Sequence, residues 1–135
     1  MVFTNGVFDL VHPGHVAVLE AARREGVALI VAVNSDESAR TLAKGTDRPI
    51  VGQESRARVV AGFQAVDCVI VFDQPTPARV IAELQPDVLV KGGDYHADTV
   101  VGADTVRARG GRVVIVPLVS GQSSTSIVER LRGTS

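Results

Sequence analysis

A single cysteine, Cys68, in a chain of 135 residues excludes an internal disulfide and any metal cage built on cysteines. No run of like charge reaches five residues, and 14 Lys plus Arg against 15 Asp plus Glu leave a formal charge of -1. Binding of nucleic acid or an acidic membrane surface by bulk charge is thereby excluded. The longest uninterrupted apolar run, residues 27–33, is far too short to span a bilayer. No basic stretch precedes an apolar one at the start, and a motif-bearing loop opens by Thr4, so no removable targeting segment is expected and a cytosolic protein is. What is present is the composition of one folded domain over residues 1–135: 45% hydrophobic and 21% charged residues. Cys68 lies in the apolar run 67–71, where a small core residue is expected rather than a nucleophile.

Valine-rich runs at residues 27–33, 68–72, 87–90 and 113–116 are apolar on both faces, as buried parallel strands are. A short strand at 2–4 precedes them. Between the runs, residues 14–25, 54–64, 76–84, 98–109 and 126–132 carry helical spacing. Strand alternating with helix throughout predicts an α/β fold with a five-stranded parallel, doubly wound, Rossmann-like sheet. Pro13 suits a first helical turn, and Gly26 and the Gly110-Gly111 pair suit helix stops. The least regular stretch, 43–53, is long enough to be a mobile, functional loop. In such sheets ligands sit beyond the carboxyl ends of the strands, so chemistry is expected just after each strand.

After the first strand stands Asn5-Gly6-Val7-Phe8-Asp9-Leu10-Val11-His12-Pro13-Gly14-His15. Two histidines three apart across a helix start direct both rings to one side of an N-terminus whose free N–H groups favour an anion. Gly14 opens the backbone between them to a ligand. A helix N-terminus disfavours imidazolium while a polyphosphate favours it, so ring protonation is expected to couple to binding. The plainer reading makes His12 a helix cap and His15 an exposed first-turn residue. Near the other end, Ser126 and Glu129 have capping-box spacing, which leaves Ser123, Ser124 and Thr125 as hydroxyls bunched at a helix start, suited to phosphate. Lys44, beside Gly45 in the irregular stretch, is either a solvated lysine or a cation that swings onto a bound anion. Arg48 and Arg56 are equally compatible with surface charge and with binding. After the fourth run, Lys91-Gly92-Gly93-Asp94-Tyr95 reads as a tight turn whose Lys91 and Asp94 can also read a base or sugar hydroxyls.

The string Gly6-x-Phe8-Asp9-x-x-His12-x-Gly14-His15 resembles the signature of the nucleotidyltransferase superfamily of cytidylyltransferases and related adenylyltransferases. With residues 31–36, Lys44-Gly45 with Arg48-Pro49, residues 65–67 and 86–95 and the Ser/Thr-rich segment, the chain looks like the adenylyltransferase family of ADP-glycero-manno-heptose synthesis along nearly its whole length. The resemblance implies transfer of AMP from ATP to D-glycero-D-manno-heptose 1-phosphate, with His12, His15 and Lys44 as catalytic donors. It also implies a nucleotide held by Thr4, Asn5, Gly6, Phe8, Asp9, Gly14, Lys91, Gly92, Ser123, Ser124, Thr125 and Ser126, and acceptor contacts from Arg48, Arg56 and Asp94. Asp9 fits either an assisting role or a buried hydrogen-bonding one. Mg²⁺ is expected to arrive with ATP rather than in a protein metal site. A homodimer is implied; and since many members carry this unit behind a sugar kinase domain whereas this chain starts at the unit itself, the kinase acting upstream is expected to be a separate protein. The competing readings are a cytidylyltransferase acting on glycerol phosphate or another alcohol phosphate, and a nucleotide-binding module without turnover.

Overall fold

The structure, a computed structural model, describes residues 1–42, 49–93 and 95–117. The valine-rich runs form β1 (Val2–Gly6), β2 (Leu29–Asn34), β3 (Cys68–Phe72), β4 (Val88–Gly92) and β5 (Arg112–Val116). They make one five-stranded sheet in the order β3-β2-β1-β4-β5, every pair parallel. The described helices are α1 (Pro13–Arg23), α2 (Asp36–Thr41), α3 (Gln53–Ala61), α4 (Ala78–Leu84) and α5 (Ala103–Ala108). This is the expected doubly wound α/β architecture. None of these helices is long and apolar enough to cross a membrane.

Because strand side chains alternate, the central strands are apolar on both faces. Val2, Leu29, Val31, Val33, Val88 and Val90 share one core with Leu19 and Ala22 of α1 and Val60 of α3. Phe3, Ala32 and Leu89 share the other with Ile81 of α4 and Ala103 and Val106 of α5. Each fully buried Val, Leu or Ile in these layers contributes roughly 1.5–3 kcal/mol. The edge strands differ. Cys68 is exposed, which corrects its expected place in the core: β3 pairs only with β2 among the described strands, and a strand so placed is half open to water. Val27, 84% exposed, lies before β2 rather than in it.

Local chemistry explains the helix limits. Pro13 occupies the first turn of α1 as expected. The helix α2, not foreseen, is capped by the Ser35 hydroxyl accepting from the Ser38 N–H, with Asp36 and Glu37 in its first turn. The helix expected over 98–109 is broken. A 3-10 turn at Ala97–Thr99 is followed by Gly102 at φ +90, and α5 starts after it. A Cβ on Gly102 would lie 2.5 Å from Ile81 Cδ1, so position 102 needs glycine for room as well as for conformation. Gly110, at φ +85, follows the end of α5 in the left-handed conformation of a helix stop. The expected last helix, 126–132, lies outside the described residues.

The strand order reverses between β1 and β4. There β1 keeps all five of its residues in register with β2, from Val2↔Leu29 to Gly6↔Val33. Toward β4 the register stops after Val2↔Val88 and Phe3↔Leu89. The sheet therefore opens toward the carboxyl ends of these two strands, where a ligand crevice belongs in this architecture.

Candidate active site

The loop from β1 to α1 is shaped by two backbone features. Phe8 adopts φ +54, a left-handed conformation that non-glycine residues reach at a cost. Its ring lies over Gly6, where a Cβ would come 3.0 Å from Phe8 Cε2, so glycine at 6 lets the ring close in. The buried Phe8 ring then packs 5.3 Å, centroid to centroid, from His15.

His12 and His15 stack with ring centroids 4.0 Å apart. His12 Nδ1 accepts from the Gly14 N–H and His15 Nδ1 accepts from the His12 N–H, both at 3.1 Å. The plain capping reading is thus realised, although His15 is half-buried rather than exposed. The expected free backbone N–H groups are not there. Pro13 has none, the Gly14 N–H goes to His12, and the His15 N–H goes to the His12 carbonyl. The rings take their place. With both Nδ1 atoms accepting, each neutral imidazole must carry its proton on Nε2, which becomes the available donor. Desolvation lowers the pKa of His12. Desolvation, and then the neighbouring charge of His12, push His15 down to about 4. The pair is thus a set of neutral Nε2–H donors near pH 7.

Asp9, 3% exposed, accepts the N–H groups of Ile50 at 2.8 Å and Val51 at 2.9 Å, the buried role foreseen as one of its two alternatives. Arg56 has a different place from the one expected. It is 1% exposed, and its guanidinium donates to the carbonyls of Val51 (2.8 Å), Val7 (2.7 Å) and Asn34 (2.7 Å) and to Asp36 Oδ1 (2.7 Å). A group so enclosed is neither surface charge nor, in this conformation, an acceptor contact. The hydrogen bond from Arg56 holds the Asp36 carboxyl below its usual range.

Near the end of β4, Lys91 Nζ donates to the Asn5 carbonyl at 3.3 Å and lies 5.4 Å from the centre of the Tyr95 ring. Desolvation lowers its pKa. Asn5 and Lys91 line a cavity of about 180 Å³ together with Asn34, Leu42, Thr76 and Tyr95. Asn34, a polar residue closing the valine-rich run of β2, carries the sequence signal for this place: its position at a strand's carboxyl end. Thr4 and Gly14 are buried beside the motif loop. Gly92 admits α1 against β4, because a Cβ there would lie 2.6 Å from Val18 Cγ2. The structure thus gathers His12, His15, Phe8, Asp9, Asn5 and Lys91 at one end of the sheet. Lys44, Arg48, Asp94, Ser123, Ser124, Thr125 and Ser126 lie outside the described residues.

A doubly wound sheet with a donor-lined helix start at its switch point defines a nucleotide-handling α/β protein. The chain belongs to the cytidylyltransferase-like family, which it matches over residues 3–130. It is 55% identical over 132 residues to the bifunctional protein HldE of Gluconobacter oxydans (strain 621H), a match covering 98% of this chain and 27% of that protein. It is 56% identical over 128 residues to the bifunctional protein HldE of Hyphomonas neptunium (strain ATCC 15444), covering 95% of this chain and 26% of that one. The chain thus spans about a quarter of the length of these relatives. Among solved structures, the lipopolysaccharide core biosynthesis protein of Thermoplasma volcanium GSS1 superposes with a TM-score of 0.69 at 28% identity, over 87% of this chain and 94% of that one. Pantothenate synthetase of Thermus thermophilus, at 19% identity and a TM-score of 0.58 over 95% of this chain and 64% of that one, shares the fold.

Proposed function

We propose that this domain transfers AMP from ATP to D-glycero-D-manno-heptose 1-phosphate, releasing pyrophosphate and forming ADP-heptose. The observation that carries the reading is the stacked His12–His15 pair with both Nδ1 atoms occupied by backbone N–H groups, which leaves two Nε2–H donors at the sheet's switch point. Similarity to the HldE proteins across nearly the whole chain and to the lipopolysaccharide core biosynthesis protein supports the sugar phosphate as acceptor.

In the reaction, a phosphate oxygen of the acceptor attacks the α phosphorus in line. The bond from that phosphorus to the bridging oxygen of the β phosphate breaks, and pyrophosphate leaves with the electron pair. The attacking oxygen is already anionic, so no general base is needed. Catalysis rests on positioning and on stabilising charge, for which neutral Nε2–H donors fixed by the fold are suited. Lys44, Ser123, Ser124, Thr125 and Ser126 are assigned to the triphosphate by the family resemblance. Mg²⁺ bound to ATP would offset part of the triphosphate charge. Among the described residues no group of three or more His, Cys, Asp or Glu is placed to hold a metal, and Asp9 already accepts two N–H groups, which fits an ion held by phosphates and water. A second copy of the chain and a sugar kinase acting earlier complete the proposed partners.

Pyrophosphate release measured with ATP or CTP against heptose 1-phosphate and glycerol phosphate tests the reading. Turnover with ATP and the heptose phosphate is expected; turnover only with CTP, or none with any pair, would overturn it. Lys44→Ala is expected to depress kcat and kcat/KM together with little change in ATP affinity, because the cation acts as charge builds on pyrophosphate.

A further inference from the structure

A fully buried arginine is expensive to desolvate, and an apolar side chain of similar volume would fill the same space at lower cost. Arg56 is nonetheless among the largest fully enclosed side chains of the protein. The partners that offset its burial lie far apart in sequence. Val7 is 49 residues away in the motif loop, Asn34 is 22 residues away at the end of β2, and Val51 is just before α3. Asp36, which Arg56 also binds, opens α2 and is itself tied to α3 by its N–H donating to Gln53 Oε1 at 2.9 Å. One planar guanidinium thus fixes the relative positions of three segments that converge at the carboxyl ends of β1 and β2, a task its rigid fork of donors can perform and an ammonium cannot.

Residue 51 is held from both sides. Its carbonyl accepts from Arg56 while its N–H donates to Asp9 Oδ1. Asp9 and Val7 flank Phe8, whose ring packs on His15, and the same loop ends at the His12 cap. Displacement of the guanidinium would therefore reach the two imidazoles through a short chain of bonded groups.

We infer that Arg56 is a positioning residue for nucleotidyl transfer: it locks the histidine-bearing loop, the end of β2 and the entry to α3 into one rigid frame and acts on the reacting atoms only through His12 and His15. The inference rests on the proposed function for its kinetic consequence but not for its structural one. Arg56→Lys retains the charge and most of the volume while losing the fork. Assayed well below its melting temperature, it is expected to keep the KM for ATP within about threefold while kcat falls on the order of 100-fold, the scale of a small misplacement at a reacting centre. In the ligand-free protein the His12 and His15 ring signals should be displaced in nitrogen-15 spectra while the methyl signals of Leu29, Ile81 and Leu89 stay in place in carbon-13 spectra. Should Arg56→Lys not fold, Asp36→Ala carries the same two measurements, with kcat expected to fall roughly tenfold. Wild-type kcat and unmoved imidazole signals in a folded variant would overturn the inference and leave Arg56 as a stabilising residue only. If wild-type protein shows no transfer at all, the proposed function fails, while the ring signals still decide the role of Arg56.

Discussion

The two ends of the sheet treat polar groups in opposite ways. At the amino ends of the strands, charges meet in water: the Met1 ammonium with Asp87 at 2.7 Å, Arg112 with Glu25 at 2.5 Å, and Arg23 with Asp67 at 3.1 Å, all partly or largely exposed. At the carboxyl ends Asp9, His12, Asn34, Ser35, Ser38 and Arg56 are buried. No buried side-chain nitrogen or oxygen among the described residues lacks a hydrogen-bond partner. Exposed pairs contribute little to stability, whereas buried polar groups are retained only with their hydrogen bonds made. The lesson is that a fold seeking stability alone would not concentrate them at one end; holding chemistry in place accounts for the asymmetry.

The sharpest way to break this contrast is at the histidines. His12→Ala or His15→Ala is expected to lower kcat by about 10²- to 10³-fold, the scale of losing one preorganised donor. His12→Asn separates the two roles of that residue, since asparagine caps helices well but places no donor where Nε2 lies. It should restore the melting temperature of the alanine variant without restoring kcat.

An acid titration comes next. His15 is held down to about 4 in the folded chain, against an ordinary value of 6.5. The unfolded chain therefore takes up the proton first. Stability is full above 6.5 and is lost as pH falls from there toward 4. Melting temperatures recorded across that window should fall more steeply for wild type than for His15→Gln; parallel curves would show that the ring is not buried as described.

At the carboxyl end of β4, but in its packing on α1 rather than in the polar network, lies Gly92, where Gly92→Ala would drive a methyl into Val18. A loss of about 1–3 kcal/mol in denaturant unfolding is expected from the overpacking. The smallest effect belongs to the water-exposed end. Asp87→Asn removes the carboxylate whose pKa the terminal ammonium lowers, yet should leave the melting temperature unchanged at physiological salt. A clear drop there would erase the distinction between the two ends.

How much of this was legible in the sequence follows from how local each signal is. The strands were legible because buried parallel strands read as valine-rich runs, and the histidine pair because its spacing across Pro13 is itself a helix start. Edge and centre were not distinguishable, since Cys68 in its apolar run reads like Val31 in its own; only the pairing order separates them. Ser35 followed by Asp36 and Glu37 did carry the start signal of α2. The break at Gly102 competed with helical spacing on both sides and lost. Arg56 was unreadable for a physical reason: its partners are mostly backbone carbonyls, which every residue possesses, brought together across separations of up to 49 residues. The loss of the free N–H groups at α1 was hidden likewise, because it depends on which way two imidazoles turn.

The early end of the β1–β4 register has a consequence for how the molecule behaves as a whole. An open sheet has two margins, but this one has a third running inward, where Thr4, Asn5 and Gly6 keep β2 on one flank and, among the described residues, have the reach of Lys91 to Asn5 on the other. A molecule seated in that seam would touch both the β3-β2-β1 half and the β4-β5 half, adding to the cohesion that the Val2–Val88 and Phe3–Leu89 pairing and the packing of α1 on β4 already supply.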